Sequence, residues 1–427
     1  MKYFFILGKN PTISFAELVS VLNLKPEQVV FLSREAAVID VDEDVGAVEL
    51  TKRLGGTIKI GVINFQLSTF IFQSIINSQL SPSHSAGQAI FNKPKIEGKF
   101  KFGISYYGEG QLKQEKILAM EFKKALKKKG VNSRWVTSRE KQLSSVVVEQ
   151  NKLTTEKGAE MVIINDGRNY HVGKTLAVQP FKELSRRDYG RPGRDDRSGM
   201  LPPKLAQILI NLSEAEKGGV LLDPFCGSGT ILTEAALMGF KDLVGCDNSE
   251  KAIEDTRRNV EFLISNFKPA CLACASKSGR SNPNLKISND EIKLTKCDVR
   301  KLSQCVTQNS VDTIITEPYL GPSRMKFTEN NIKKVAQELE QLYHQAFIEF
   351  EKVLKSDGRV VMIWPVFRVG TEKIMLSAKK ILAGAKFKII NPLEGFNNKM
   401  IKLTNRQTII YGRVGQKVWR EVVILEK

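Results

Sequence analysis

Apolar positions recur along this chain with two periods, and the switches between them mark the elements. In the first half, Met1 to Leu7 predicts a strand, Ser14 caps a following helix, and strands return at Gln28 to Leu32 and Ala36 to Val41. Farther on, Lys101 to Tyr107 predicts a strand and Leu112 to Lys129 a helix with a lysine-rich face. Arg134 to Thr137 and Ser145 to Glu149 predict two more strands, and Glu160 to Thr175 a hairpin turned at Asp166 and Gly167. The second half alternates differently. Short runs at Val220 to Leu222, Asp242 to Asp247, Leu294 to Asp298 and Val311 to Ile315 predict strands, the first apolar enough to be covered on both faces and followed by a helix from Ile231 onward. Gly358 to Trp364, Phe387 to Ile390, Arg406 to Arg413 and Arg420 to Glu426 predict strands near the C-terminus, with Thr408 to Tyr411 as the antiparallel strand closing the sheet.

The run Leu221 to Phe240 joins a buried strand, a glycine-rich turn and a helix in twenty residues. Gly227, Ser228 and Gly229 let the chain turn sharply and bring a ligand against bare backbone, Thr230 caps the helix, and Gly239 stops it. Dinucleotide enzymes place glycines similarly, but the third glycine of their fingerprint is absent here, as is the Gly-Lys-Ser/Thr ending of a nucleoside triphosphate loop. Asp223 and Pro224 come first instead. A carboxylate at the strand's carboxyl end repels a pyrophosphate and suits a cation, such as the amino acid end and sulfonium of S-adenosylmethionine. Two further acids stand at later strand ends. Asp247, about 20 residues past the glycines, is placed to bond ribose hydroxyls. Asp298 is placed to accept the adenine amine.

The fourth strand runs into Thr316, Glu317, Pro318, Tyr319, Leu320, Gly321 and Pro322. This resembles the [Asp/Asn/Ser]-Pro-Pro-[Tyr/Phe/Trp] loop of amino methyltransferases. There a side-chain oxygen and a backbone carbonyl orient the target exocyclic amine while the aromatic ring stacks on the base. Here the acid position holds Thr316 and the first proline is replaced by Glu317. Either Glu317 takes over the acceptor role along an altered loop path, or the loop has lost or changed its amine chemistry.

In this order the motifs resemble a class I S-adenosylmethionine-dependent methyltransferase. With the segment Arg187 to Leu212, the chain resembles the THUMP-containing tRNA guanosine N2-methyltransferases, which modify the guanosine at tRNA position 10. The resemblance implies an α/β fold, a Rossmann-like class I methyltransferase sheet preceded by an α+β THUMP-type RNA-binding region. It implies a 1–62 N-terminal α+β domain, a 63–178 THUMP-like domain, a 179–199 basic linker and a 200–427 methyltransferase domain. In the site it implies cofactor-binding roles for Asp223, Pro224, Phe225, Gly227, Gly229, Thr230, Asp247, Asn248 and Asp298. It implies that Thr316, Glu317, Pro318 and Tyr319 form the catalytic base loop. The implied reaction transfers methyl to the N2 amine of a guanosine in tRNA. Adenine-N6 or cytosine-N4 methylation of nucleic acid, and a non-catalytic RNA-binding protein, stand as alternatives.

Charge adds a partner to this picture. The 427 residues carry 65 Lys+Arg against 46 Asp+Glu, a net of +19, so a polyanion such as tRNA is the expected ligand. Lys124 and Lys128 on the lysine-rich helix, and Arg191 and Arg194 in the basic linker, are the candidate RNA contacts. A lysine-rich helix face can equally be a solvated one. Six cysteines fit a reducing compartment, and a single Cys-x-x-Cys pair, Cys271 and Cys274, gives no structural metal site. The polar stretch Lys268 to Asn289 is expected to be an insertion loop. With no signal-like or membrane-spanning apolar run, the chain is expected in the cytoplasm. The sequence identifies no accessory protein.

Overall fold

Strand alternation begins at the first residues: Tyr3 to Leu7 are all buried in β1, Lys2–Leu7. The computed structural model describes residues 1–68, 98–108, 110, 112, 115–194, 200–267, 291–322, 327–413 and 415–427. Lys268 to Asn289, Cys271 and Cys274 lie outside these. The contacts divide the chain into two units.

The first unit comprises Met1–Pro11, Lys25–Lys52 and Thr57–Phe181. Its strands after β1 are β2 (Val29–Leu32), β3 (Ala36–Asp40), β4 (Thr57–Ser68), β5 (Phe100–Tyr107), β6 (Ser133–Val136), β7 (Gly158–Asn165) and β8 (Asn169–Val178). They form one sheet in the order β2-β3-β1-β4-β8-β7-β5-β6. The boundary expected between 62 and 63 therefore falls inside β4, whose residues pair with β1 on one side and β8 on the other. Helix Glu115–Lys128 buries Ala119, Phe122 and Leu126 and leaves Lys124 and Lys128 exposed. Inside the sheet, Glu160 compensates its burial by accepting from Lys59 at 2.5 Å, Ser105 at 2.5 Å and Thr175 at 2.6 Å.

One expected strand here is a helix. Ser145–Gln150 is helical, although its Val146-Val147-Val148 run favours a strand. The Ser144 hydroxyl accepts from Val147 N, a cap worth about 1 kcal/mol, and Val148 is then fully buried beside Val136, Leu143 and Leu153. Local capping plus packing outweighs β-propensity.

The second unit comprises Thr12–Leu24, Arg53–Gly56 and Lys182–Lys427. Its strands are β9 (Leu221–Asp223), β10 (Leu243–Asp247), β11 (Ile292–Lys296), β12 (Val311–Thr316), β13 (Leu354–Val369), β14 (Glu372–Met375), β15 (Lys388–Ile390), β16 (Ile409–Tyr411) and β17 (Val418–Glu426). The sheet runs β11-β10-β9-β12-β13-β17-β15, parallel from β11 to β13, with β17 antiparallel to both its neighbours. Strand order reverses at β9: the chain goes one way to β10 and β11, then returns to β12 on the other side. Parallel sheets bind ligands at such a switch point. The expected α/β class is the one observed, but the antiparallel strand next to the parallel set is β17, inserted between β13 and the end strand β15, and β16 pairs with β17 off the main path.

Helix Glu329–Val353 covers one face, capped by Thr328 and burying Ile332, Leu339, Tyr343, Phe347 and Phe350 at helical spacing. Helix Pro11–Leu22 departs from the N-terminal strands, since Phe15 meets Phe396 edge-on at 5.5 Å and Ser20 Oγ donates to Asn211 O at 2.8 Å. Ser14 lies inside this helix and does not cap it. The stretch expected as a linker contains helix Phe181–Tyr189, anchored by a buried Arg187–Glu234 pair at 2.7 Å. Residues 195–199 lie outside the described residues.

Candidate cofactor and base-binding site

The glycine turn closes because two glycines do different things. Gly227 has φ 54°, and the nearest atom to where a side chain would begin is Phe225 O at 4.0 Å. Gly229 has φ 77° and also lies so close to Thr256 that a Cβ would sit 2.6 Å from its Cγ2. Gly229, in the left-handed region, is the cap of helix Thr230–Leu237, and Thr230 is the first helical residue. The turn is bonded from outside: Thr256 Oγ1 donates to Gly227 O at 2.8 Å, and Asn259 Nδ2 donates to Ser228 O at 2.8 Å. Asp247, at the end of β10, accepts from Gly227 N at 3.0 Å and Ser249 N at 2.9 Å.

A cleft of about 710 Å³ lies over this turn. Asp223, Pro224, Phe225, Gly227, Thr230, Asp247, Asn248 and Asp298 line it, as do Glu317, Pro318 and Tyr319. Gly229 and Thr316 stand behind the wall. Asp223 is fully buried, and its Oδ1 accepts from Thr316 Oγ1 at 2.7 Å and Phe225 N at 3.2 Å. Burial raises its pKa to about 7; the bonds from Thr316 and Phe225 oppose that rise, and the nearby Asp247 and Glu317 charges add to it. A buried acid flanked by two others is suited to a cationic guest. The lack of a side chain at Gly227 lets an atom approach the backbone. The residues present therefore fit the amino acid end and sulfonium of S-adenosylmethionine.

Asp298 caps a short turn and is bound by Arg300 through Nε at 2.9 Å and Nη2 at 2.5 Å, which holds its carboxyl below the usual range. Any adenine contact shares that carboxylate with Arg300. Cys297, the residue before it, is disulfide-bonded to Cys305, a pairing the low cysteine count did not suggest. Cys226 and Cys246 are buried free thiols whose pKa values burial pushes up, Cys246 to about 12. Cys226 is thereby a packing residue.

In the base loop Thr316 is fully buried and spends its hydroxyl on Asp223, so it does not face the cleft. Glu317 does, held by Arg420 of β17 through Nε at 2.5 Å and Nη2 at 3.3 Å. Tyr319 is 55% exposed, and its carbonyl accepts from the buried Tyr343 Oη at 2.7 Å, which pins the loop to helix Glu329–Val353. Sequence reasoning missed Arg420 and Tyr343. Nothing in the spacing of either residue links it to the loop. Arg191 is buried and donates to Thr230 Oγ1, placing it against the glycine turn. Arg194 is half-buried, donates to Tyr189 O at 3.0 Å and lies over the Tyr189 ring. Lys124 pairs with Glu121 at 2.7 Å in the first unit.

Residues 191–381 match the family described as RMKL-like, methyltransferase domain. Residues 69–258 match a second, described as DNA methylase, which ends before β12 and so omits the base loop. The chain is 30% identical over 206 residues to a tRNA (guanine(10)-N2)-dimethyltransferase of Methanothermobacter thermautotrophicus, covering 48% of this chain and 49% of that protein. It is 26% identical over 199 residues to the protein of the same name from Methanocaldococcus jannaschii, covering 45% and 46%. The matched region thus spans about half the length of these two relatives. A third, "Probable tRNA (guanine(10)-N2)-dimethyltransferase" of Methanothermococcus thermolithotrophicus, is 31% identical over 159 residues, 37% of this chain and 77% of that protein. Among solved structures, TrmN from Thermus thermophilus matches over 100% of both chains at a TM-score of 0.53 and 18% identity, a likeness of fold.

Proposed function

Because the chain belongs to the tRNA guanine N2-methyltransferase family, we propose that it transfers a methyl group from S-adenosylmethionine to the exocyclic N2 amine of a guanosine in tRNA, at position 10. The observation that carries this reading is the 2.7 Å bond from Thr316 to Asp223. It ties the base loop to the cofactor turn across neighbouring parallel strands, β12 and β9.

When bound, S-adenosylmethionine supplies an activated methyl on a sulfonium, so the protein's work is mainly alignment. Asp223, Pro224, Phe225, Gly227, Gly229 and Thr230 shape the cofactor end of the cleft. Asp247 with Asn248, and Asp298, hold its ribose and adenine. Glu317, fixed by Arg420, accepts a hydrogen bond from the guanine amine and aims its lone pair. Pro318 stiffens the loop, and the exposed Tyr319 ring stacks on the base. Thr316 has a positioning role through Asp223.

The first unit is the RNA-binding region of THUMP type, with Lys124 and Lys128 as phosphate contacts, and Arg194 serves the same end in the second. Among the described residues no helix is long and apolar enough to cross a membrane; the protein acts in the cytoplasm, where its tRNA substrate is.

Mass spectrometry of nucleosides, and of nuclease fragments for position, from tRNA incubated with the protein and labelled cofactor tests the reading. Labelled N2-methylguanosine at position 10 is expected. A second reading, adenine-N6 or cytosine-N4 methylation, draws on the match to a DNA methylase family. Label in either of those bases, with none in guanosine, would replace the first reading by the second.

A further inference from the structure

A buried guanidinium needs its donors and its charge met. Arg191 is only 6% exposed, yet Nη1 donates to Thr230 Oγ1 at 2.5 Å and Nη2 to Met200 Sδ at 3.1 Å, both neutral partners. Among the described residues its buried Nε has no partner. The acids whose charge it feels, Asp188 and Glu234, do not bond it, and Glu234 is taken by Arg187 through both oxygens. Cations on the cleft wall are provided for differently. Lys251 pairs with Asp255, Arg300 with Asp298 and Arg420 with Glu317, while Lys417 lies over the Phe327 ring.

Thr230 and Met200, its partners among the described residues, both line the cleft. Thr230 Oγ1 accepts from the guanidinium, which leaves its own hydroxyl proton to be donated, and no described residue takes it. Thr230 also opens helix Thr230–Leu237, so the helix dipole points the same way. A charged donor, a polarised hydroxyl and a helix N-terminus together ask for an anion in the cleft. Asp223, at the other end of the same turn, asks for a cation. A zwitterion satisfies both.

We propose that Arg191 is a positioning residue that, through the Thr230 hydroxyl, holds the α-carboxylate of S-adenosylmethionine. This rests on the cofactor reading above and moves Arg191 from the RNA contacts to the cofactor site.

The full-length protein and its Arg191→Met, Arg191→Lys, Thr230→Val and Arg191→Met/Thr230→Val variants are titrated calorimetrically. The ligands are S-adenosylmethionine and its decarboxylated analogue, which keeps the sulfonium and ammonium and lacks only the carboxylate. Arg191→Met and Thr230→Val are expected to weaken S-adenosylmethionine by about 10- to 100-fold while changing the analogue less than about threefold. Arg191→Lys should restore part of the loss, and the double variant should be no worse than the weaker single. Equal weakening of both ligands would assign Arg191 to the turn's structure and overturn the proposal. So would unchanged binding of both, or a wild type that does not distinguish the two ligands. A wild type that binds neither ligand overturns the cofactor reading as well.

Discussion

The Glu317 carboxylate and the Arg420 guanidinium form a two-point ion pair, 2.5 and 3.3 Å, between residues 103 apart in the chain. Both side chains are largely buried at the cleft, and the fork fixes the carboxylate plane while each oxygen keeps a lone pair for a further donor. A displaced acid can therefore still present an acceptor to an amine.

Breaking this fork should cost turnover more than cofactor affinity. Arg420→Met is expected to lower kcat for tRNA methylation by roughly 100-fold through misplacement of Glu317, and folding stability by about 2 kcal/mol. Glu317→Gln should give a comparable kcat loss, and the double variant should be no worse than either. Single-turnover methyl transfer and urea unfolding measure the two effects. Full activity in Glu317→Ala would remove Glu317 from the chemistry.

Cofactor affinity should depend on pH through Asp223. Its pKa, raised by burial to about 7 from an ordinary 3.8, favours the neutral acid in the folded protein. Stability from this group is present below about pH 4 and is lost as pH rises through about 7. Binding a cation requires the ionised form, so S-adenosylmethionine affinity should rise up to tenfold per unit from pH 5 to 7 and then level off. Asp223→Asn should flatten this profile, and Thr316→Val, which removes a bond that stabilises the carboxylate, should move its midpoint upward. Calorimetric titration across pH 5 to 8 decides it.

The two turn glycines should differ in their tolerance of a methyl group. Gly227→Ala strains only the backbone, at about 1–2 kcal/mol. Gly229→Ala adds a contact 2.6 Å from Thr256 Cγ2, bringing its cost to about 2–4 kcal/mol. Urea denaturation would show equal costs for the two if Thr256 yields freely.

The Cys297–Cys305 bond closes a short loop that contains Asp298. Cys305→Ser is expected to lower stability by about 2 kcal/mol. A thiol reductant should lower the wild type equally and leave the variant unchanged, which thermal unfolding with and without reductant checks.

The chemistry that was legible in the sequence is local chemistry. The glycine turn, Asp223, Asp247, Asp298 and the Pro318–Tyr319 loop each sit at a strand end, within a few residues of the apolar run that places them, and such positions follow from period and punctuation alone. Errors arose where a residue's role depends on a distant neighbour. Ser145–Gln150 is a helix because Ser144 caps it and Val148 finds a pocket. The antiparallel strand of the sheet is β17 because it is the segment that pairs with both β13 and β15. Thr316 turned out to serve Asp223, 93 residues away. Arg420, Tyr343 and the burial of Arg191 carry no signature, because a side chain's charge says nothing of which partner the fold brings to it. The sequence by itself determined the alternating sheet and the acids around its switch point, through short-range periodicity and backbone geometry. The tertiary structure alone decided which of those acids are paired, which are held neutral by burial and which face the cleft, because desolvation and ion pairing are properties of neighbours in space.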